Sequence, residues 1–275
     1  MNRLNVGLSG CNLELIGDNK LRKYSSSDEY NTRLVSQADK QLLFSKKIYK
    51  NVDTPVVYDI QENYFDMEYV PGHTFSEFFS SSSVNDVNFV VETLFYYFDS
   101  LISNSKMMDA RSKILKKIDS LIEKTAHKKY IEFLREYVEQ YKIIIPHTFC
   151  HGDLTFSNII FHRNRLFFVD FLDCYVDTYL SDLVKLKQDL YYFWGMKTQR
   201  VESLRIEQIF THIWNRLHTR YNTIINSNAF KLLDVLNTLR IEPYLTSISQ
   251  RSILDTMIKS TELYANFSSS NGGTL

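Results

Sequence analysis

The densest run of potential chemistry lies between residues 148 and 171. His151-Gly152-Asp153-Leu154-Thr155-Phe156-Ser157-Asn158 is followed, twelve residues after Asn158, by Asp170 in the string Val169-Asp170-Phe171. The pattern is H-x-D-x4-N with a second, apolar-flanked Asp. An ionised Asp153 can accept the proton of a hydroxyl. Asn158 offers a neutral oxygen ligand where the loop turns back. Asp170 offers the hard carboxylate that Mg²⁺ prefers. His151 belongs to the catalytic set as a brace that holds the loop by hydrogen bonds rather than as a reacting group. A hydroxyl base beside oxygen ligands for a divalent cation is what phosphoryl transfer asks of a protein, because that reaction needs positioning and charge stabilisation more than covalent help. His-x-Asp alone is a weak signal; Asn158 and Asp170 in register with it give the motif its weight.

These residues need elements to hold them. Residues 147–170 break the surrounding helical pattern and read as a loop, then two short strands, 158–161 and 166–171, around the turn His162-Arg163-Asn164. Asp170 falls at the end of that hairpin. Upstream, 4–8 and 12–16 are short alternating runs, and Gly17-Asp18-Asn19 is a hairpin signal leading to a third strand at 20–24. Leu34, Val35, Ala38, Leu42 and Leu43 have helical spacing over 31–47, and 56–60 and 64–70 read as two more strands. Pro71-Gly72 reads as a boundary and Ser80–Ser83 as a short polar loop. Ser83 and Asp86 form a capping-box pattern opening a helix with an apolar face from Val87 to Ile102. Helices are expected over 114–122 and 129–143, and from near Leu180 almost to Tyr264. The Ser/Gly-rich end, 268–275, reads as frayed.

Composition narrows the function classes. Of 275 residues 44% are hydrophobic, enough for a sizeable core, and 32 Lys+Arg balance 32 Asp+Glu. A neutral chain without a basic run is a poor general nucleic-acid binder and a poor electrostatic membrane binder. No run reaches the roughly 20 apolar residues of a membrane span, and residues 1–10 lack a signal-peptide core. Cys11, Cys150 and Cys174 are odd in number and contain no Cys-x-x-Cys. They read as small apolar filler in a reducing, cytoplasmic protein, not as a disulfide framework or zinc knuckle. Few Gly and Pro and many long apolar stretches suggest a mostly helical chain with limited sheet.

The motif run resembles the aminoglycoside phosphotransferase and choline kinase superfamily, a branch of the protein-kinase-like fold, over most of the chain. That resemblance implies an α+β, two-lobed fold: a nucleotide-binding lobe at 1–70, a helical catalytic and substrate lobe at 71–267, and a tail at 268–275. Ser9-Gly10-Cys11-Asn12 resembles the group's short phosphate loop, which would place Gly10 and Asn12 against phosphate. Lys23 resembles the strand lysine that holds the α- and β-phosphates, with Arg22 as the competing choice. Met67-Glu68-Tyr69-Val70-Pro71-Gly72 resembles the hinge, where adenine would bond the Glu68 carbonyl and the Val70 N–H. Ser181-Asp182-Leu183 resembles the element after the metal-binding Asp, with Asp182 bonding back to the catalytic loop.

Departures are informative. The acid that should pair with Lys23 is not obvious: Gln37 falls near the expected position and Asp39 is the nearest carboxylate, so the partner is open between the two. Gly152 stands where protein kinases have the arginine of His-Arg-Asp, Leu172 where they have the glycine of Asp-Phe-Gly, and no Ala-Pro-Glu follows. A protein kinase switched by activation-loop phosphorylation is therefore not expected. The resemblance implies ATP and Mg²⁺ as cofactors, a small hydroxylated acceptor, and no nucleic-acid or membrane partner. Residues 171–190 resemble, more loosely, members found with bacterial surface-polysaccharide genes, so a sugar precursor is one acceptor. Between Tyr191 and Leu275 nine Lys/Arg face six Asp/Glu, which favours a neutral or anionic acceptor over a polycation. Choline or ethanolamine is the alternative, held by a cage of Tyr191, Tyr192 and Trp194 with Asp173 or Asp177 nearby. A nucleotide-binding module without turnover is the alternative from another class.

Overall fold

The computed structural model describes residues 3–4, 11–245, 248–261, 263–264 and 266. Strands β1 (Arg3–Leu4), β2 (Cys11–Leu15) and β3 (Lys20–Ser25) precede helix α1 (Asp28–Ser45), and β4 (Val52–Asp53), β5 (Val57–Ile60) and β6 (Tyr64–Glu68) follow it. Next come helices α2 (Phe75–Ser81) and α3 (Val84–Ser103), strand β7 (Lys106–Asp109), helices α4 (Arg111–Ile122) and α5 (Lys128–Gln140), and strand β8 (Ile144–His147). A loop then leads into the hairpin β9 (Ile159–His162) and β10 (Arg165–Phe168). Helices α6 (Tyr179–Leu190), α7 (Trp194–Gln199), α8 (Leu204–Arg220), α9 (Asn222–Ile225), α10 (Asn228–Ile241) and α11 (Ile248–Lys259) complete the order. The chain groups into two compact units. One comprises Met1–Ser100, His151–Asp173 and Ser203–Ile209; the other comprises Leu101–Cys150, Cys174–Glu202 and Phe210–Leu275.

The first unit is built on an antiparallel sheet of order β1-β2-β3-β6-β5. Gly17 adopts φ +71°, and the Ile16 N–H donates to the Lys20 carbonyl at 2.8 Å, closing the expected β2–β3 turn. Side chains alternate across the sheet. Leu21 and Lys23 on β3 pair with Met67 and Phe65 on β6 and share the face covered by Leu34 and Ala38 of α1. Arg22 points the other way and pairs with Asp66. A second sheet, β4-β10-β9, has β4 parallel to β10. An aromatic cluster backs it: Phe44 lies 4.9 Å from Phe171 and 5.8 Å from Phe168, ring centre to ring centre. The abundance of Phe and Tyr thus has a structural use that composition alone did not reveal.

Two capping boxes order the chain after β6. Ser83 and Asp86 close the expected one, the Ser83 N–H donating to Asp86 Oδ2 at 2.7 Å. Thr74 and Glu77 close another at the start of α2, a helix absent from the sequence reading although Thr-x-x-Glu is the same signal. Gly72 does more than mark a boundary. His73 and Phe161 exchange two backbone hydrogen bonds of 2.9 Å, which presses residue 72 onto β9.

In the second unit α6 packs on α10, and Lys187 bonds to the buried Asp234. Glu242 is buried and accepts from the Ala126 N–H at 2.9 Å, tying the end of α10 to the start of α5. The ribbon β7–β8 was not foreseen; each strand is only four residues long. No described helix is long and apolar enough to cross a membrane.

A Cβ at position 72 would meet Ile160 Cγ2 at 2.4 Å and the Phe161 carbonyl oxygen at 2.7 Å. Gly72→Ala is therefore expected to destabilise the protein by about 1–3 kcal/mol through overpacking. Urea denaturation against wild type is the check, and an unchanged midpoint would contradict the close approach.

Candidate active site

Lys23 is held by alternation and register on the covered face of β3, and only 3% of it is exposed. Its ammonium donates to Asp170 Oδ1 at 2.7 Å and to Gln37 Oε1 at 2.9 Å. Gln37 in turn donates from Nε2 to the Tyr30 hydroxyl at 3.1 Å. Burial opposes the charge on Lys23, but the Asp170 carboxylate outweighs it and holds the ammonium above its ordinary pKa range. The partner left open between Gln37 and Asp39 is Gln37, since Asp39 is exposed on the opposite side of α1. Arg22 is committed elsewhere: its guanidinium grips both oxygens of Asp66, at 2.7 and 3.0 Å, and lies 3.8 Å over the Tyr64 ring.

The loop after β8 is fixed from within. His151 is fully buried, and its ring centre lies 4.3 Å from that of Phe171, the two planes tilted by 33°. Its Nε2 lies 2.8 Å from the Val169 carbonyl, which can only accept, so Nε2 carries the proton. Nδ1 is then the acceptor that the Asp153 N–H needs at 3.2 Å. The Leu172 N–H donates to the His151 carbonyl at 3.0 Å. One residue thus ties the turn carrying Asp153 to the segment carrying Asp170. Gly152 sits at φ +92°, a conformation a side chain would strain, which accounts for glycine in place of the protein-kinase arginine. Asp170 itself is left-handed at φ +62°, a cost of about 1 kcal/mol for a residue with a Cβ.

Asn158 donates from Nδ2 to the Asp153 carbonyl at 2.8 Å and to Asp153 Oδ2 at 3.2 Å. Its amide oxygen is the atom left to face a cation. Asp170 is 39% exposed, and its Oδ2 has no donor among the described residues. One amide oxygen and one carboxylate oxygen are hard donors and fit Mg²⁺. Beyond β6 the Tyr69 N–H donates to the Asn19 carbonyl at 2.9 Å, and the Val70 N–H has no acceptor among the described residues. Asn12 lies on β2 opposite Tyr24. Gly10 and Ser9 lie outside the described residues. Asp182 is fully buried on α6.

Two residues of α1 were missed. Lys40 is buried and donates from Nζ to the Leu172 carbonyl at 2.6 Å, and Ser36 hydrogen-bonds Asp173. Lys40 lies three residues after Gln37, on the same helix face, so the spacing was available to find it.

A profile of the phosphotransferase enzyme family matches residues 114–216. That span contains the loop, the hairpin and α6. Among solved structures, the ADP-bound aminoglycoside phosphotransferase APH(2'')-Ib is similar at 16% identity and a TM-score of 0.58, covering 95% of this chain and 93% of its own. A thermostable mutant of APH(4)-Ia with ADP and hygromycin B is similar at 11% identity and a TM-score of 0.62, covering 94% and 93%. The chain has the fold of the aminoglycoside phosphotransferases. The streptomycin–ATP ternary complex of APH(2")-IIa shares this phosphotransferase fold at 17% identity and a TM-score of 0.58, over 96% of this chain and 92% of its own. No protein of curated function matches the sequence.

Burial pushes the pKa of His151 down from 6.5 to about 4. Between those values the unfolded chain binds a proton that the native state refuses. Stability from this group is thus full above pH 6.5 and is lost as pH falls towards 4, by roughly 3 kcal/mol. Urea denaturation at several pH values is expected to show the loss in wild type and to show it reduced in His151→Asn. Equal pH dependence in the two proteins would contradict a neutral, buried brace.

Proposed function

We propose that this chain transfers the γ-phosphoryl group of ATP, with Mg²⁺, to a hydroxyl of a small metabolite. The observation that carries the reading is the 2.7 Å bond between Lys23 and Asp170, within the unit where Asn158 clamps Asp153. Bound Mg-ATP supplies the electrophilic phosphorus and the charge neutralisation. The residues of the chain do the rest. Asp153, oriented by Asn158, accepts the acceptor's hydroxyl proton. Asn158 Oδ1 and Asp170 hold the cation. Lys23 meets the α- and β-phosphates, Gly10 and Asn12 support the phosphate loop, and Glu68 and Val70 receive adenine through their backbones. On this reading residues 1–70 carry the nucleotide and 71–267 the catalytic and acceptor groups, and the protein acts in the cytoplasm. ADP and ATP in the similar structures support nucleotide use. A binding module without turnover would have no use for a clamped base.

For the acceptor we favour a neutral or anionic molecule such as a sugar or a surface-polysaccharide precursor. Between Tyr191 and Leu275 cations exceed anions, nine to six. Asp234 is buried and paired with Lys187, Glu242 is buried and accepts from Thr125 and the Ala126 N–H, and Asp255 bonds His127. Few acids remain there to greet a polycation. The choline reading weakens on one geometry: the Lys187 ammonium stands 5.8 and 5.4 Å over the Tyr191 and Tyr192 rings and 5.9 Å over Phe230. The expected aromatic faces already hold a cation of the chain itself. The similar structures include aminoglycoside complexes, so a polycationic acceptor is the second reading.

The test offers γ-labelled ATP and Mg²⁺ with kanamycin, choline and a panel of free and phosphorylated hexoses and heptoses. The expected result is a kcat/KM preference for a sugar. Asp153→Asn is expected to lower kcat by about 10²–10⁴-fold with nucleotide affinity unchanged. Preference for kanamycin would reverse the acceptor argument, and wild-type kcat in Asp153→Asn would remove Asp153 from the base role.

A further inference from the structure

Cys150, Cys174 and Asp177 come together in the second unit, away from the assignment of cysteines as filler. Cys150 Sγ lies 3.5 Å from Cys174 Sγ and donates to Asp177 Oδ1 at 3.4 Å, and the three ligand atoms all lie within 4.8 Å of one another. We propose that these three side chains bind a thiophilic divalent cation, with Zn²⁺ the reference ion, at a site separate from the Asn158–Asp170 oxygen ligands.

The distances suit a tetrahedral ion. With Zn–S about 2.3 Å and Zn–O about 2.0–2.2 Å, tetrahedral edges are about 3.8 Å between sulfurs and about 3.5 Å between sulfur and oxygen. The donor types suit a soft ion as well, because two thiols select Zn²⁺ over Mg²⁺. Binding releases both thiol protons to solvent. Two thiolates and a carboxylate around a divalent ion then leave one excess negative charge, far less than the bare anions would carry. Burial is graded: Cys150 is buried, whereas Cys174 and Asp177 are partly open, so water can fill the fourth position. The ligand backbone is held in advance. The His147 ring lies with Nδ1 2.9 Å from the Asp177 carbonyl, and the Thr148 N–H donates to the same oxygen at 3.2 Å. Such supporting bonds orient metal ligands. Cys150 immediately precedes His151 and Cys174 immediately follows Asp173. An ion here clasps the two chain ends of segment 151–173, which carries His151, Asp153, Asn158 and Asp170.

The experiment uses the full chain, purified under reducing conditions, stripped with chelator and titrated with Co²⁺ and then Zn²⁺. The expected result is one equivalent of Co²⁺ giving sulfur-to-cobalt charge-transfer absorption, displaced by Zn²⁺, with a raised melting temperature. Mg²⁺ is expected not to displace it, and oxygen ligands at the other site cannot give that absorption. Cys174→Ala and Asp177→Asn, which spare the buried Cys150, are expected to weaken binding by more than the roughly 10–100-fold that loss of a supporting group costs. Cys11→Ser is expected to bind as wild type. No charge-transfer band, or a band that survives Cys174→Ala in a folded protein, would overturn the proposal. Diamide oxidation supplies a further arm. Slowing of Cys150–Cys174 disulfide formation by Zn²⁺ supports the site, and equal rates with and without Zn²⁺ refute it.

Discussion

The buried ammonium of Lys23 sets the terms for the first unit. A lone charge in that position would be prohibitive, and it is tolerated because Asp170 and Gln37 meet it. Its two partners come from a helix 14 residues away and a post-hairpin segment 147 residues away. Sheet register, helix packing and the β9–β10 hairpin must therefore all be right at once. A glutamine rather than an acid at position 37 leaves one carboxylate for one ammonium, and it still aligns Lys23 through its amide oxygen.

The other end of the pair is equally constrained. Asp170 is left-handed, and a strained residue persists only where its neighbours over-determine it. His151 bonds the carbonyl before it and accepts from the N–H two residues after it, while Lys40 holds the Leu172 carbonyl. The brace is neutral because it is buried, and neutrality lets one ring nitrogen donate and the other accept. Asn158, immediately before β9, completes the arrangement by clamping Asp153 through its amide N–H.

Much of this was legible in local sequence. The β2–β3 turn, the strand face shared by Leu21 and Lys23, the Ser83–Asp86 cap and the hairpin ahead of Asp170 all follow from spacing and turn chemistry. What escaped was either very short or long-range. β4 has two residues and pairs with a strand more than a hundred positions later, so periodicity cannot see it. Helix α2 was masked by its serines, although Thr74 and Glu77 carried the cap signal. The Tyr191–Tyr192 faces looked like a ligand cage because nothing local says that Lys187, one turn earlier, folds over them. Cys150 and Cys174 looked like filler because their approach depends on the whole 151–173 excursion returning to its origin.

Asp170 is proposed to join a cation to a nucleotide in this fold, and calorimetric titration of a non-hydrolysable ATP analogue with and without Mg²⁺ tests that role most directly. Wild type is predicted to bind more tightly with Mg²⁺, and Asp170→Asn to lose that gain while keeping its Mg²⁺-free affinity. Equal wild-type affinity in both conditions, or a Mg²⁺ gain that survives in Asp170→Asn, would contradict it.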